Sequence, residues 1–319
     1  MTYAVGAFGF RSSARRAGRA AGGRAGFTLI EVVITVGVAV VVLSALYLLL
    51  ERNVSLFEKG EAKTDVQQST RIVLEDLGAM LRAAGNGVPR GTLAGNPEGI
   101  AVFYNGITVG GEPLVSSSTA VTFLGDVDGT AAQLTGAVAT GGTTVNIAPV
   151  SRDYSKSVTG GTNTVVVFTQ GTWAYGGYTG PAGARTSLTV AALRTPSGAT
   201  ANFNLGDGVA ALELVKYSLQ GTNLVRRIGL FGGQTSATNP IVTWGPAETL
   251  LDNVVSLTFT YYDTNNVACN AGGSLCTIPP PTAPGDQGNI RRVRIAIQAR
   301  AGQGVPDYTF SYDARLRAL

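Results

Sequence analysis

Apolar residues fill the chain from Phe27 to Leu50 almost without a break. The stretch FTLIEVVITVGVAVVVLSALYLLL carries a single charge, Glu31, in 24 residues. A run this long and uniform predicts a helix. At 1.5 Å per residue it reaches about 36 Å, enough to cross a bilayer core of about 30 Å. Beyond Leu50 the pattern narrows to a stripe. Val66, Thr70, Val73, Leu77, Met80, Leu81 and Ala84 recur at steps of three and four. Glu58, Lys59, Glu61, Lys63, Asp65, Arg71, Glu75, Asp76 and Arg82 supply most of the remaining surface. The same helix is therefore expected to continue as an amphipathic one. No proline precedes Pro89, and Gly85 and Gly87 give the stop. The predicted helix covers Phe27 to Ala84, with Gly37, Gly60 and Gly78 as places where it can bend.

After Pro89 the period shortens to two. Strands are expected at Ile100–Tyr104, Ala120–Leu124, Thr143–Ile147, Thr164–Gln170, Ser187–Ala191, Ala211–Gln220, Asn223–Ile228, Val254–Tyr262, Arg291–Ala299 and Tyr308–Ala314. VKYSLQ and NLVRRI, parted by Gly221-Thr222, read as a hairpin with Leu219 and Leu224 near its tip. In Val254–Tyr262 the alternation puts Val255, Leu257, Phe259 and Tyr261 on one face. The proline-rich stretch Ile278–Gly285 reads as a surface loop. The fold class expected is α+β: a long N-terminal helix, its first half transmembrane, packed on an antiparallel β-sheet-rich C-terminal domain. Four regions follow: 1–26, 27–50, 51–88 and a globular 89–319.

Charge refines this division. The formal net charge is +4, but Arg11, Arg15, Arg16, Arg19 and Arg24 lie in residues 1–26, which hold no acid. Residues 27–319 are left with 19 basic against 20 acidic groups. A nucleic-acid partner is not expected, because no clustered basic face remains without the leader. Arginines on the N-terminal side of the apolar run keep that side cytoplasmic and send the rest across the membrane. The run is longer than a secretory signal and no small-residue cleavage site follows it, so it is expected to stay as an anchor.

The chain has no histidine, which removes His-dependent nucleophile systems and His-ligated metal sites. An enzyme is not expected, and neither is a cofactor. The chemically unusual residue is Glu31. An unpaired acid at the centre of an apolar span costs about 2.5–3.5 kcal/mol. Either it snorkels to the membrane edge, or it meets a positive partner such as a newly freed amino terminus.

Gly26-Phe27-Thr28-Leu29-Ile30-Glu31 resembles the prepilin peptidase site of type IV pilins and type II secretion pseudopilins. The resemblance implies a cut between Gly26 and Phe27, N-methylation of Phe27, and pairing of Glu31 with the N-terminus of a neighbouring subunit. It makes residues 1–26 a cleaved leader. QQSTRIVLEDLGAMLRAAG (Gln67–Gly85), LLDNVVSLTFTYYD (Leu250–Asp263) and RRVRIAIQAR (Arg291–Arg300) resemble PilW-type minor pilins and J-type pseudopilins. Residues 90–245 are unmatched. A long leader and a helix free of proline depart from many major pilins. The function implied is that of a minor pilin; a J-type pseudopilin is the alternative, and a membrane-tethered enzyme or binding domain a distant one. The partners implied are other minor and major pilins or pseudopilins, the prepilin peptidase and the inner-membrane assembly platform.

Three further features have ordinary structural explanations. Cys269 and Cys276 flank a short Gly-, Ser- and Asn-rich loop. A disulfide is expected there outside the cytoplasm, with free thiols as the alternative. Gly125-Asp126-Val127-Asp128-Gly129-Thr130 has too few ligands for a calcium loop and reads as a tight turn. Asp252, Asp263 and Asp307 are scattered along the chain. Arg226, Arg227, Arg291, Arg292 and Arg294 are expected to be solvated or edge-protecting charges.

Overall fold

One helix runs from Leu29 to Arg82, 54 residues without interruption. The computed structural model describes residues 26–89, 102–150, 154, 157–158, 161–169, 171–181, 183, 185–236, 239–269, 276, 289–302 and 305–316. Most of the expected leader, residues 1–25, lies outside them, as do Ile278–Gly285 and the first two residues of the strand expected at Ile100–Tyr104. The chain divides into two compact units, 1–57 and 58–319.

In the first unit the helix is exposed on every side. The apolar exposed surface does not stop at Leu50 but includes Val54, Leu56 and Phe57.

In the second unit the helix packs along its stripe. Thr70, Val73, Leu74, Leu77, Gly78 and Leu81 are buried, while Val66 and Met80 are partly so. Gly78 is not a bend point. A Cβ at this position would overlap the ring of Tyr312, so glycine lets that ring lie against the helix. The helix ends two residues before the expected Ala84 because the chain turns into the sheet. Ala84 bridges Gly125, and the N–H of Gly85 donates to the Leu124 carbonyl at 2.9 Å. Gly85 and Gly87 take positive φ at 77° and 68°, which supplies the left-handed stop.

Two antiparallel sheets share the core with this helix. One has the order Asn239–Leu251, Asn223–Ser236, Glu213–Gln220, Ala120–Gly125, and the other Val254–Asp263, Ile290–Ala299, Tyr308–Arg315. Leu77 and Leu81 join Val215, Tyr217, Phe259, Ile295 and Ile297 in one apolar cluster. The expected hairpin is present, with Gln220 opposite Asn223, Leu219 opposite Leu224, and Gly221 at φ 63°. In Val254–Asp263 a register shift between Val254 and Ser256 changes the expected face. Val254 is buried and Val255 is exposed, while Leu257, Phe259 and Tyr261 remain inside. A small hairpin, Ile107–Val109 with Glu112–Leu114, meets the first sheet through Trp244, whose Nε1 donates to the Val109 carbonyl at 2.9 Å. Of the strand expected at 100–104, the described part forms a single bridge, Phe103 to Phe123.

The unmatched middle of the sequence is largely an insertion. Ala120–Gly125 and Glu213–Gln220 are neighbours in register, Leu124 opposite Leu214, although residues 126–212 separate them in the chain. Those residues build another sheet, in the order Trp173–Gly177, Thr164–Phe168, Gly208–Ala211, Ala132–Gln133. They also have a core of their own that includes Leu134, Ile147, Val165, Val167, Leu188 and Phe203. Alternation joins the two cores. Val165 and Val167 face the insertion's core, whereas Val166, Trp173 and Tyr175 belong to the main one.

Candidate functional site

The residues singled out by sequence stand at the start of the helix. Gly26, Phe27 and Thr28 precede the first helical residue, Leu29. Gly26 is exposed, and a Cβ on it would meet nothing. Phe27 is 81% exposed. Thr28 caps the helix: its Oγ1 accepts the N–H of Glu31 at 3.3 Å, and its carbonyl accepts Glu31 N–H at 3.1 Å and Val32 N–H at 3.3 Å. Thr28 and Glu31 therefore occupy the N-cap and N3 positions of an S/T-x-x-E capping box. The acid lies in the first turn, where the helix dipole favours negative charge. Among the described residues no side chain bonds its carboxylate in the structure.

From Leu29 onward the helix is long and apolar enough to cross a membrane. Two hydroxyls in its apolar part are satisfied internally: Thr35 Oγ1 donates to the Glu31 carbonyl and Ser44 Oγ to the Val40 carbonyl, each at 2.7 Å. No polar group of these two side chains then needs water.

In the second unit Arg291 and Arg294 are exposed, as expected, but other arginines depart from expectation. Arg226 is not a solvated charge. Its guanidinium joins Asp76 on the helix at 2.8 Å to Glu248 on the edge strand at 2.7 Å, which ties the helix to the first sheet. Arg227, on the opposite face, pairs with Glu112, which also takes Lys216 at 2.9 Å. Burial alone would raise the Glu112 carboxyl, but Lys216 and Arg227 outweigh it and hold the group below its ordinary value. Arg292 and Arg294 both reach Asp313, at 2.9 Å each. The Arg294 hydrogen bond is the main reason Asp313 also lies low. Arg82 donates to the Tyr312 hydroxyl at 2.9 Å, beside Gly78.

Asp126 is a buried turn residue. Its carboxylate accepts the Thr130 N–H at 2.7 Å and the Ala131 N–H at 2.6 Å. Thr130 Oγ1 in turn accepts the Ala211 N–H at 2.9 Å, so this turn fastens the two strands at the neck of the insertion. Asp263 likewise accepts the backbone of Asn265 and Val267, at 2.9 Å each, and Asp307 pairs with Arg300 at 3.0 Å. Among the described residues no group of three or more acidic, Cys or His side chains could hold a metal ion. Cys269 and Cys276 are joined by a disulfide with Cα atoms 4.9 Å apart, both buried in the main core.

Sequence reasoning passed over Thr28, although T-x-x-E ahead of an apolar run was readable. It also passed over Asp76 and Arg226 as partners, which nothing local in the sequence connects.

No protein-family model matches the chain, and no curated protein matches it significantly. The fold and the helix start define an α+β protein with one N-terminal apolar helix, compatible with a membrane anchor, and an antiparallel β-rich C-terminal region.

Proposed function

We propose that this chain is a filament subunit of the type IV pilin and pseudopilin class, a minor pilin rather than an enzyme. In this reading it is made as an inner-membrane precursor with residues 1–26 in the cytoplasm. The prepilin peptidase hydrolyses the Gly26–Phe27 bond, the new amino group of Phe27 is methylated, and the subunit is drawn into a filament on the periplasmic side.

The observation that carries the reading is one acid, Glu31, in the first turn of a helix that is exposed and carries no other charge from Leu29 to Leu50. A simple tether gains from that acid only a stabilised helix start. A subunit that pairs Glu31 with the amino terminus of a neighbour gains both alignment and charge neutralisation. Cleavage also removes five arginines, leaving a chain with 19 basic and 20 acidic side chains. Other pilins or pseudopilins are then the partners of the exposed helix, and the β-rich region carries the contacts outside the membrane.

The test is deletion of the prepilin peptidase in the native cell. The chain should then remain in the inner membrane in its longer form and vanish from sheared filaments. Unchanged size and unchanged appearance in the filament fraction would overturn the proposal.

A further inference from the structure

Two residues, Phe27 and Thr28, separate the proposed cut from the first helical residue, so something must keep the helix from running back through the bond. In a continuous helix the Glu31 N–H would donate to the Phe27 carbonyl, and the Ile30 N–H to the Gly26 carbonyl. Instead Glu31 N–H is taken by Thr28, through both Oγ1 at 3.3 Å and the carbonyl at 3.1 Å. The first full α-helical bond is Val32 N–H to the Thr28 carbonyl, at 3.3 Å. The Thr28 hydroxyl thus competes directly with the Phe27 carbonyl for one donor.

We propose that Thr28 is a positioning residue for processing: its hydroxyl ends the helix at Leu29 and leaves the Gly26–Phe27 amide outside it. The inference rests on the processing reading above. Hydrolysis adds water to the Gly26 carbonyl carbon, breaks the C–N bond, and leaves a Gly26 carboxylate and a Phe27 amine. The peptidase must reach that carbonyl, and a carbonyl engaged within a helix turn is shielded by its neighbours. Gly26 works in the same direction, since glycine resists helix by about 1 kcal/mol relative to alanine. Phe27 resists helix less than glycine does, so the hydroxyl of Thr28 has the larger part in setting where the helix begins.

The experiment compares Thr28→Val, which keeps the shape and loses the acceptor, with Thr28→Ser and Thr28→Asn, which keep an acceptor. The full-length precursors are incubated in membranes containing the peptidase, and the initial rate of conversion to the shorter product is read. Loss of an N-cap predicts conversion slower by about three- to tenfold for Thr28→Val, with Thr28→Ser and Thr28→Asn near the unaltered rate. Backbone chemical shifts of Gly26 and Phe27 in detergent micelles should move towards helical values in Thr28→Val only. Equal rates for Thr28→Val and the unaltered chain would overturn the inference. So would equal slowing of all three variants, which would mean that the peptidase reads threonine itself. No conversion of the unaltered chain would sink the processing reading, and this one with it.

Discussion

The two halves of the long helix share one backbone and follow different rules. Along Leu29–Phe57 every side is apolar or nearly so, and the residues stay exposed. Along Glu58–Arg82 a single stripe is apolar, and that stripe is buried against two sheets. The second half has found its solvent-excluding partner within the chain. In the proposed reading the first half is built for partners outside the subunit, lipid before assembly and other helices after it. A helix apolar all round is stable only in such surroundings.

The largest predicted effect tests what the first half pairs with. Glu31→Gln removes the charge but keeps a residue that serves at N3 of the capping box, so the helix start is preserved. The variant should be cut and stable, yet its share in sheared filaments should fall at least about tenfold. Incorporation at the unaltered level would show that the charge of Glu31 plays no part in assembly.

A pair of truncations sharpens the contrast between the halves. Leu77→Ala, at a fully buried position, should lower the stability of the β-rich unit by about 2–5 kcal/mol in thermal or denaturant unfolding. Leu43→Ala, on the exposed run, should leave that unfolding unchanged. Glycines give a second, smaller pair. Gly78→Ala pushes a methyl against Tyr312 and should cost about 1–3 kcal/mol. Gly37→Ala enters open space and should be neutral or slightly stabilising to the helix. Equal effects within either pair would contradict the division.

How far the sequence carried depends on the range of the interaction involved. The helix was legible because its pattern is local: an unbroken apolar run, then a three-four stripe, then Gly85 and Gly87. The tip of the hairpin at Gly221-Thr222 was legible for the same reason. The strand Asn239–Leu251 was not anticipated. Pro240, Gly245 and Pro246 argue against a strand, but this one lies at a sheet edge and carries register shifts, where proline is tolerated. Trp173–Gly177 was hidden by the opposite problem, since Trp173 to Gly176 are buried and show no alternation. The insertion needs Leu124 to meet Leu214, and no local pattern announces a pairing across that much chain. At the candidate site, residue types in Gly26–Glu31 were readable, but the donor that Thr28 takes from Phe27 required geometry.

The smallest effect concerns pH and the second unit alone. Glu112 and Asp313 lie below their ordinary values of 4.5 and 3.8 because cations face them. A carboxyl depressed in the fold stabilises fully above its unfolded value, and that contribution is lost as pH falls through the folded one. Unfolding should therefore become easier as pH drops below about 4.5, with no comparable change between neutrality and that point. Glu112→Gln should lower neutral stability by on the order of 1 kcal/mol and make the acid loss shallower. An unaltered acid profile would show that the Lys216–Glu112–Arg227 group contributes little.

In the proposed reading the exposed half of the helix becomes an assembly surface only after the chain is cut beside it. Mass spectrometry of the N-terminal peptide, taken from protein of the native cell, tests this most directly. The expected result is a mature chain that begins with N-methylated Phe27. A chain that retains Met1 and its arginine-rich leader within the filament fraction would contradict it.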